Sequence, residues 1–284
     1  MPSNTIKVRR SALYMPCSNQ RALEKATTLE ADVLLFDLED AVAPANKPQA
    51  REMIVAALAN LDYQHREKVV RVNGLDNLWG MDDLKALKDS QFDALLIPKA
   101  ESIEQVNQVI AVFDRPIAIW LMIETPKGVL NVEKLAQHPQ VHVLVMGTND
   151  LAKELRVQQS AERAEFSYAF GRCLLAARAY NCDILDGVYN QLDDLKGLEA
   201  ECSQGKMLGF DGKTLIHPKQ LAIANSVFMP SEQEILQAKN IIAAWQEADD
   251  KGVIVVDGKL VEELHVEQAK RQLAMAESVS ASQE

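Results

Sequence analysis

Residues 117–128 read IAIWLMIETPKG, and this stretch decides the fold. The run from Ile117 to Ile123 is apolar without a break, and Glu124 follows at once. A strand with one wet face alternates polar and apolar positions. An unbroken apolar run of this length describes a strand covered on both faces, as in a parallel sheet clad in helices. It is far shorter than the run of about 20 residues that spans a bilayer.

The same pattern recurs outward in both directions. Upstream lie Ser11–Met15 (SALYM), Asp32–Phe36 (DVLLF), Lys68–Val72 (KVVRV) and Asp93–Ile97 (DALLI). Downstream come Val141–Met146 (VHVLVM), Asp183–Val188 (DILDGV) and Lys206–Phe210 (KMLGF). Intervening segments such as Gln49–Leu61, Ile103–Phe113 and Glu162–Tyr180 carry apolar residues at helical spacing. Strands alternating with helices predict an α/β chain, a single (β/α)8 TIM barrel over residues 1–228. An open doubly wound sheet is the alternative, because periodicity alone does not establish closure. Residues 229–284 are predicted to be a C-terminal helical extension or lid. They begin with a helix at Ser231–Ala248, signalled by Pro230, Ser231 and Glu234. An extended piece at Val253–Val256, a turn at Asp257-Gly258 and a last helix from Val261 follow.

Bulk properties narrow the function. The chain has 284 residues, 48% hydrophobic and 25% charged, which is ample for one barrel core. The net charge of −11 argues against nucleic acid as a partner and requires a local basic cluster for any anionic substrate. Cys17, Cys173, Cys182 and Cys202 form no CxxC pair and read as free thiols in a reducing compartment. MPSNTIKVRR has no apolar stretch behind its basic residues, so no signal peptide is expected. With no membrane segment either, the expected location is cytoplasmic.

In a barrel of this type, reactive groups stand at the carboxyl ends of the strands. Asp37-Leu38-Glu39-Asp40 follows the second run, and Arg71 stands near the end of the third. Pro98-Lys99 ends the fourth, Glu124 the fifth, and Gly147-Thr148-Asn149-Asp150 the sixth. Carboxylates from two strands, completed by water, suit a hard cation such as Mg²⁺, and Glu124 with Asp150 is the best pair. Asp150 as a cap for the helix beginning at Leu151 is the structural alternative. Arg71 offers a fixed fork of donors for a substrate carboxylate or a developing oxyanion. An ion pair with Asp37 or Glu39 is compatible with that role. His217, before Pro218, reads as a hydrogen-bonding residue rather than a base, and Cys17 has no activating neighbour. Neither GxxxxGK[ST] nor GxGxxG after a strand occurs, so no nucleotide-phosphate loop is expected.

Taken in order, these pieces resemble the citrate lyase β-subunit-like and malyl-CoA lyase family, grouped with the HpcH/HpaI aldolases. Stand-alone bacterial citramalyl-CoA lyases are the nearest type. The resemblance runs from about Arg10 to Gln268. It is carried by Phe36-Asp37-Leu38-Glu39-Asp40-Ala41-Val42, Arg71-Val72-Asn73, Ile97-Pro98-Lys99, Ile123-Glu124-Thr125-Pro126-Lys127-Gly128 and Gly147-Thr148-Asn149-Asp150-Leu151. Asp186-Gly187-Val188-Tyr189, Gly209-Phe210-Asp211-Gly212-Lys213 and Ile216-His217-Pro218 complete it. The resemblance implies Mg²⁺ on Glu124 and Asp150, Arg71 on the substrate, and Asp37 and Glu39 supporting both from behind. It implies a CoA thioester as substrate, with Lys25, Arg21 and Lys99 as candidates for CoA phosphates. It also implies a homotrimer or hexamer whose lid reaches the adjacent subunit and supplies an acid/base Asp. Gly258-Lys259-Leu260-Val261-Glu262 puts Glu262 in that Asp's place, with Asp257 as the alternative.

The reaction so implied is Claisen-type C–C cleavage of a short 3-hydroxyacyl-CoA, foremost (S)-citramalyl-CoA to acetyl-CoA and pyruvate. Malyl-CoA or β-methylmalyl-CoA cleavage and malyl-CoA thioester hydrolysis are the next readings. A citrate lyase β subunit acting on a carrier-bound thioester, or a catalytically silent assembly protein, are the others.

Overall fold

The computed structural model of the protein describes residues 7–248 and 252–281. Eight parallel strands close on themselves: β1 (Ser11–Pro16), β2 (Val33–Asp37), β3 (Glu67–Arg71), β4 (Ala94–Ile97), β5 (Ala118–Ile123), β6 (Val141–Met146), β7 (Asp183–Asp186) and β8 (Gly212–Leu215). Pairing of Ser11, Ala12 and Leu13 with Lys213, Thr214 and Leu215 joins the first strand to the last and excludes the open sheet. Helices α1 (Gln20–Ala26), α2 (Lys47–Asn60), α3 (Gly80–Leu87), α4 (Ile103–Ile110), α5 (Pro126–Ala136), α6 (Thr148–Leu155), α7 (Ser167–Ala179) and α8 (Leu195–Leu208) lie between the strands, with two between β6 and β7.

The unbroken apolar runs are explained by what each face meets. Alternate residues (Ala12, Val33, Leu35, Val69, Leu96, Trp120, Val143 and Leu185 among them) form one fully buried cluster inside the barrel. Their neighbours Leu34, Phe36, Leu95 and Leu121 point outward and are equally buried. Phe36, for example, packs its ring 4.9 Å from that of Tyr63. The amino-terminal mouth is closed by Arg9. Its guanidinium pairs with Glu67 at 2.7 Å and with Asp183, the first residues of β3 and β7, and lies 5.3 Å from the Trp120 ring.

Two expected elements are corrected. Lys206–Phe210 is not the eighth strand; it contains the last turn of α8. Asp194 caps that helix by accepting from the Gly197 N–H, and Gly209 ends it at φ +105°, a left-handed conformation that glycine adopts without strain. The true strand is Gly212–Leu215, which apolar periodicity passes over because it carries Lys213. That lysine is fully buried, its charge met by Asp186 at 3.0 Å and Glu201 at 2.6 Å. The final helix also begins later than Val261. Lys259–Glu262 pairs as β10 with β9 (Val253–Val256), through Asp257 and Gly258 at φ +50° and +75°. Two consecutive positive φ values make the tight hairpin turn that Asp-Gly favours.

Arg9–Asn225 forms one compact unit; Lys7 and Val8 with the described residues from Ser226 onward form another. The second holds the end of α9 (Leu221–Phe228), α10 (Glu232–Glu247) capped by Ser231 and Glu234, the β9–β10 hairpin, and α11 (Glu263–Ala281) packed along α10. No described helix is long and apolar enough to cross a membrane.

Candidate active site

A cavity of about 320 Å³ opens where the strands end. Tyr14, Asp37, Arg71, Met122, Glu124 and Asp150 are among the residues that line it. Asp37 and Arg71 are the last residues of neighbouring strands and stand side by side in register. Arg71 Nε and Nη2 donate to the two Asp37 oxygens at 2.8 and 2.6 Å, and Nη1 lies 3.1 Å from Glu39 Oε2. Only 7% of Arg71 is exposed. Burial works against its charge, but Asp37 and Glu39 outweigh that and hold its pKa well above the ordinary value. Asp37 is spoken for on every side, since it also accepts from the Glu39 and Ala41 backbone N–H groups. The ion pair anticipated as an alternative is therefore present, and it aims the remaining face of the guanidinium at the cavity.

Glu124 stands at the rim because the chain turns directly from β5 into α5, with Thr125 capping the helix by accepting from the Gly128 N–H. Its Oε1 accepts from the Lys99 N–H at 2.8 Å. Burial, and then the negative charges of Glu39 and Asp150, push its carboxyl up to about 8. Burial likewise raises Glu39 to about 7; its buried Oε2 accepts no hydrogen bond from the described residues and meets Arg71 only as an ion pair at 3.1 Å. Asp150 sits in the first turn of α6. The N-cap of that helix is Gly147, so the expected alternative, Asp150 as the cap, is not realised.

Other expected residues fall elsewhere. Lys99 is held at φ +46° on the rim. The residue is exposed; burial lowers its pKa, but Asp150, Glu39 and Glu124 raise it on balance. Lys25 and Arg21 are exposed on α1 and do not line the cavity. Glu262 ends β10 in the second unit, its N–H donating to His265 Nδ1, and Asp257 occupies the hairpin turn. His217 Nδ1 accepts from the Lys219 N–H, a capping role. All four cysteines are free and buried, and burial pushes the Cys17 thiol well up.

Lys47, Asp83 and Tyr14 were not anticipated. Lys47 Nζ donates to the Leu38 and Glu39 carbonyls and to Asn73 Oδ1 at 2.6–3.0 Å, pinning the loop that carries Glu39. Asp83 holds Asn73 in turn. A lysine opening a helix opposes the helix dipole, and that was a readable signal. Asp83 in the first turn of α3 reads as an ordinary dipole partner, and Tyr14 as core.

Among the described residues no three His, Cys, Asp or Glu side chains cluster in metal-binding geometry. The donors facing the cavity are carboxylate oxygens from separate strand ends.

Residues 10–218 match the HpcH/HpaI aldolase/citrate lyase family. A (3S)-malyl-CoA thioesterase of Cereibacter sphaeroides is 50% identical over 274 residues, 96% of either chain. The citrate lyase subunit beta of Leuconostoc mesenteroides subsp. cremoris is 34% identical over 286 residues, 96% of this chain and 95% of its own. Protein CitE from Mycobacterium tuberculosis, solved with magnesium, acetoacetate and coenzyme A, has a TM-score of 0.79 at 29% identity. That match covers 94% of this chain and 97% of the other. The chain belongs to the HpcH/HpaI aldolase/citrate lyase family, a family of enzymes.

Proposed function

We propose that this protein hydrolyses a short hydroxyacyl thioester of CoA of the malyl type, with Mg²⁺ held by Glu124 and Asp150. The observation that carries the substrate class is the buried guanidinium of Arg71 beside two carboxylates in one strand-end cavity, one cation for the acid end of a ligand. Hydrolysis is preferred to C–C cleavage because the relative at 50% identity is a thioesterase.

The donor set fits Mg²⁺: the donors are hard oxygens beyond the ends of two separate strands, and burial and neighbouring carboxylates raise Glu124 in a way a cation would relieve. When bound, the ion polarises a carbonyl or hydroxyl oxygen of the substrate. Arg71 grips the acid carboxylate and opposes charge developing on it. Asp37 keeps the guanidinium aligned, and Glu39 lends the rim a further negative group. Neither Lys99 nor Lys25 lines the cavity, but Lys99 is the nearer candidate for a CoA anion, since its backbone N–H donates to Glu124. Water attacks the acyl carbon and the C–S bond breaks; Glu262, from the second unit of an adjacent subunit in a trimer or hexamer, is proposed to take the water's proton and return it to the departing CoA thiolate.

Cleavage of citramalyl-CoA to acetyl-CoA and pyruvate is the second reading, favoured by the 34% identity to citrate lyase subunit beta. Incubating the purified protein with malyl-CoA and citramalyl-CoA, with Mg²⁺ and with EDTA, separates the two. Free CoA thiol and malate, formed only with Mg²⁺, are expected. Keto acid with acetyl-CoA and no thiol would establish the lyase instead. Neither product overturns both. Glu124→Ala and Asp150→Ala are expected to lose turnover together with Mg²⁺ binding, the latter read by calorimetry.

A further inference from the structure

Tyr14 is the only aromatic side chain, among the described residues, that lines the strand-end cavity. It lies on β1 two residues beyond Ala12, packed on the interior core, and the Arg71 guanidinium sits 4.8 Å from its ring centroid. A phenylalanine would serve that packing equally, so the hydroxyl needs its own explanation. Its hydrogen-bond partner in the protein is the thioether sulfur of Met122 at 4.0 Å, a weak acceptor at the limit of contact. Asp37 is near, but Arg71 and the Glu39 and Ala41 N–H groups already occupy its oxygens. Burial first, and then the charges of Asp37, Glu124 and Glu39 against the opposing pull of Arg71, keep the phenol protonated. A half-buried donor thus stands beside a buried cation, facing a cavity, with no oxygen among the described residues to accept from it.

We propose that Tyr14 is a substrate-contacting residue whose hydroxyl donates a hydrogen bond to the acid carboxylate that Arg71 grips. The two side chains form one carboxylate-binding pair, Arg71 supplying charge and Tyr14 a directional neutral donor. The assignment rests on the proposed function in one respect: the ligand's acid end enters this cavity. Binding of the free acid separates the two ideas. (S)-Malate is titrated calorimetrically into the full chain with excess Mg²⁺, for the wild type and Tyr14→Phe, and (3S)-malyl-CoA hydrolysis is assayed in parallel. Phenylalanine keeps the ring under Arg71, so the variant removes only the hydroxyl. The Kd for (S)-malate is expected to rise about ten- to a hundred-fold, the weight of one hydrogen bond to a charged group. Equal affinity in the two proteins, or no binding by the wild type, overturns the assignment. Weakened binding in the variant without thioester turnover by either protein leaves Tyr14 standing and removes the proposed activity.

Discussion

At residue 147 the backbone passes so close to Glu124 that a Cβ there would lie 2.4 Å from Glu124 Cβ and 2.6 Å from its Oε2. Glycine at this position is what lets Glu124 stand upright at the rim. The smallest possible change, Gly147→Ala, is therefore expected to displace the carboxylate while sparing its chemistry. A misplacement of about 1 Å at a reacting centre costs on the order of 100-fold in rate. Turnover by Gly147→Ala should fall by about that factor, with weaker Mg²⁺ binding in a calorimetric titration. Wild-type values for both would mean that Glu124 has room to move and that its exact position is unimportant.

Among the elements, β7 and β8 are tied by a buried cluster beneath the rim. Asp186 and Lys213 are fully enclosed, and Arg163 donates to both Asp186 oxygens at 2.7 Å. Burial pushes the Asp186 carboxyl up, but Lys213 and Arg163 outweigh it and hold it below the ordinary carboxylate value. The folded protein therefore binds fewer protons at this group than the unfolded chain. Its stabilisation is complete above the unfolded value of about 3.9 and is lost as pH falls through the folded one. Removing one member of such a pair costs about 3–5 kcal/mol. Asp186→Asn should lose that much at pH 7 by denaturant unfolding, and its deficit against the wild type should shrink below about pH 4. A deficit independent of pH would show that packing, not charge, is what the substitution removes.

The same cluster marks the limit of what the sequence discloses about the elements. Strands β2, β4 and β5 are continuously buried on both faces, so their apolar runs are legible without a structure. β8 is not, because its central lysine is neutralised by residues from β7 and α8 that lie far off in sequence. The hairpin strand β10 is missed for a related reason: Lys259 and Glu262 flank it, and its partner is what makes it a strand. At the site, Asp37, Arg71, Glu124 and Asp150 are legible because each ends a strand or lies within a few residues of its carboxyl end. Tyr14 sits inside an apolar run and passes for core, and Lys47 acts through three contacts that only folding assembles.

On the scale of the whole molecule, Arg9 joins β3 and β7 across the amino-terminal mouth, opposite to the end that carries the candidate site. Arg9→Ala withdraws the shared cation from two partly buried carboxylates. It is expected to lower the thermal midpoint by several degrees, as about 2–3 kcal/mol does in a domain of this size. Turnover at 25 °C should stay within about two-fold, since the lost contacts are at the far mouth. A collapse in turnover with an unchanged midpoint would mean that the base communicates with the rim. The chain also carries a spectroscopic reporter for each part. Of its three tryptophans, Trp120 is sealed inside the barrel, Trp79 lies 5.0 Å from the Lys47 ammonium behind the site, and Trp245 belongs to α10. Single-tryptophan versions would each emit from one region, so fluorescence alone can follow the barrel, the site's supporting layer and the C-terminal unit as separate signals during unfolding.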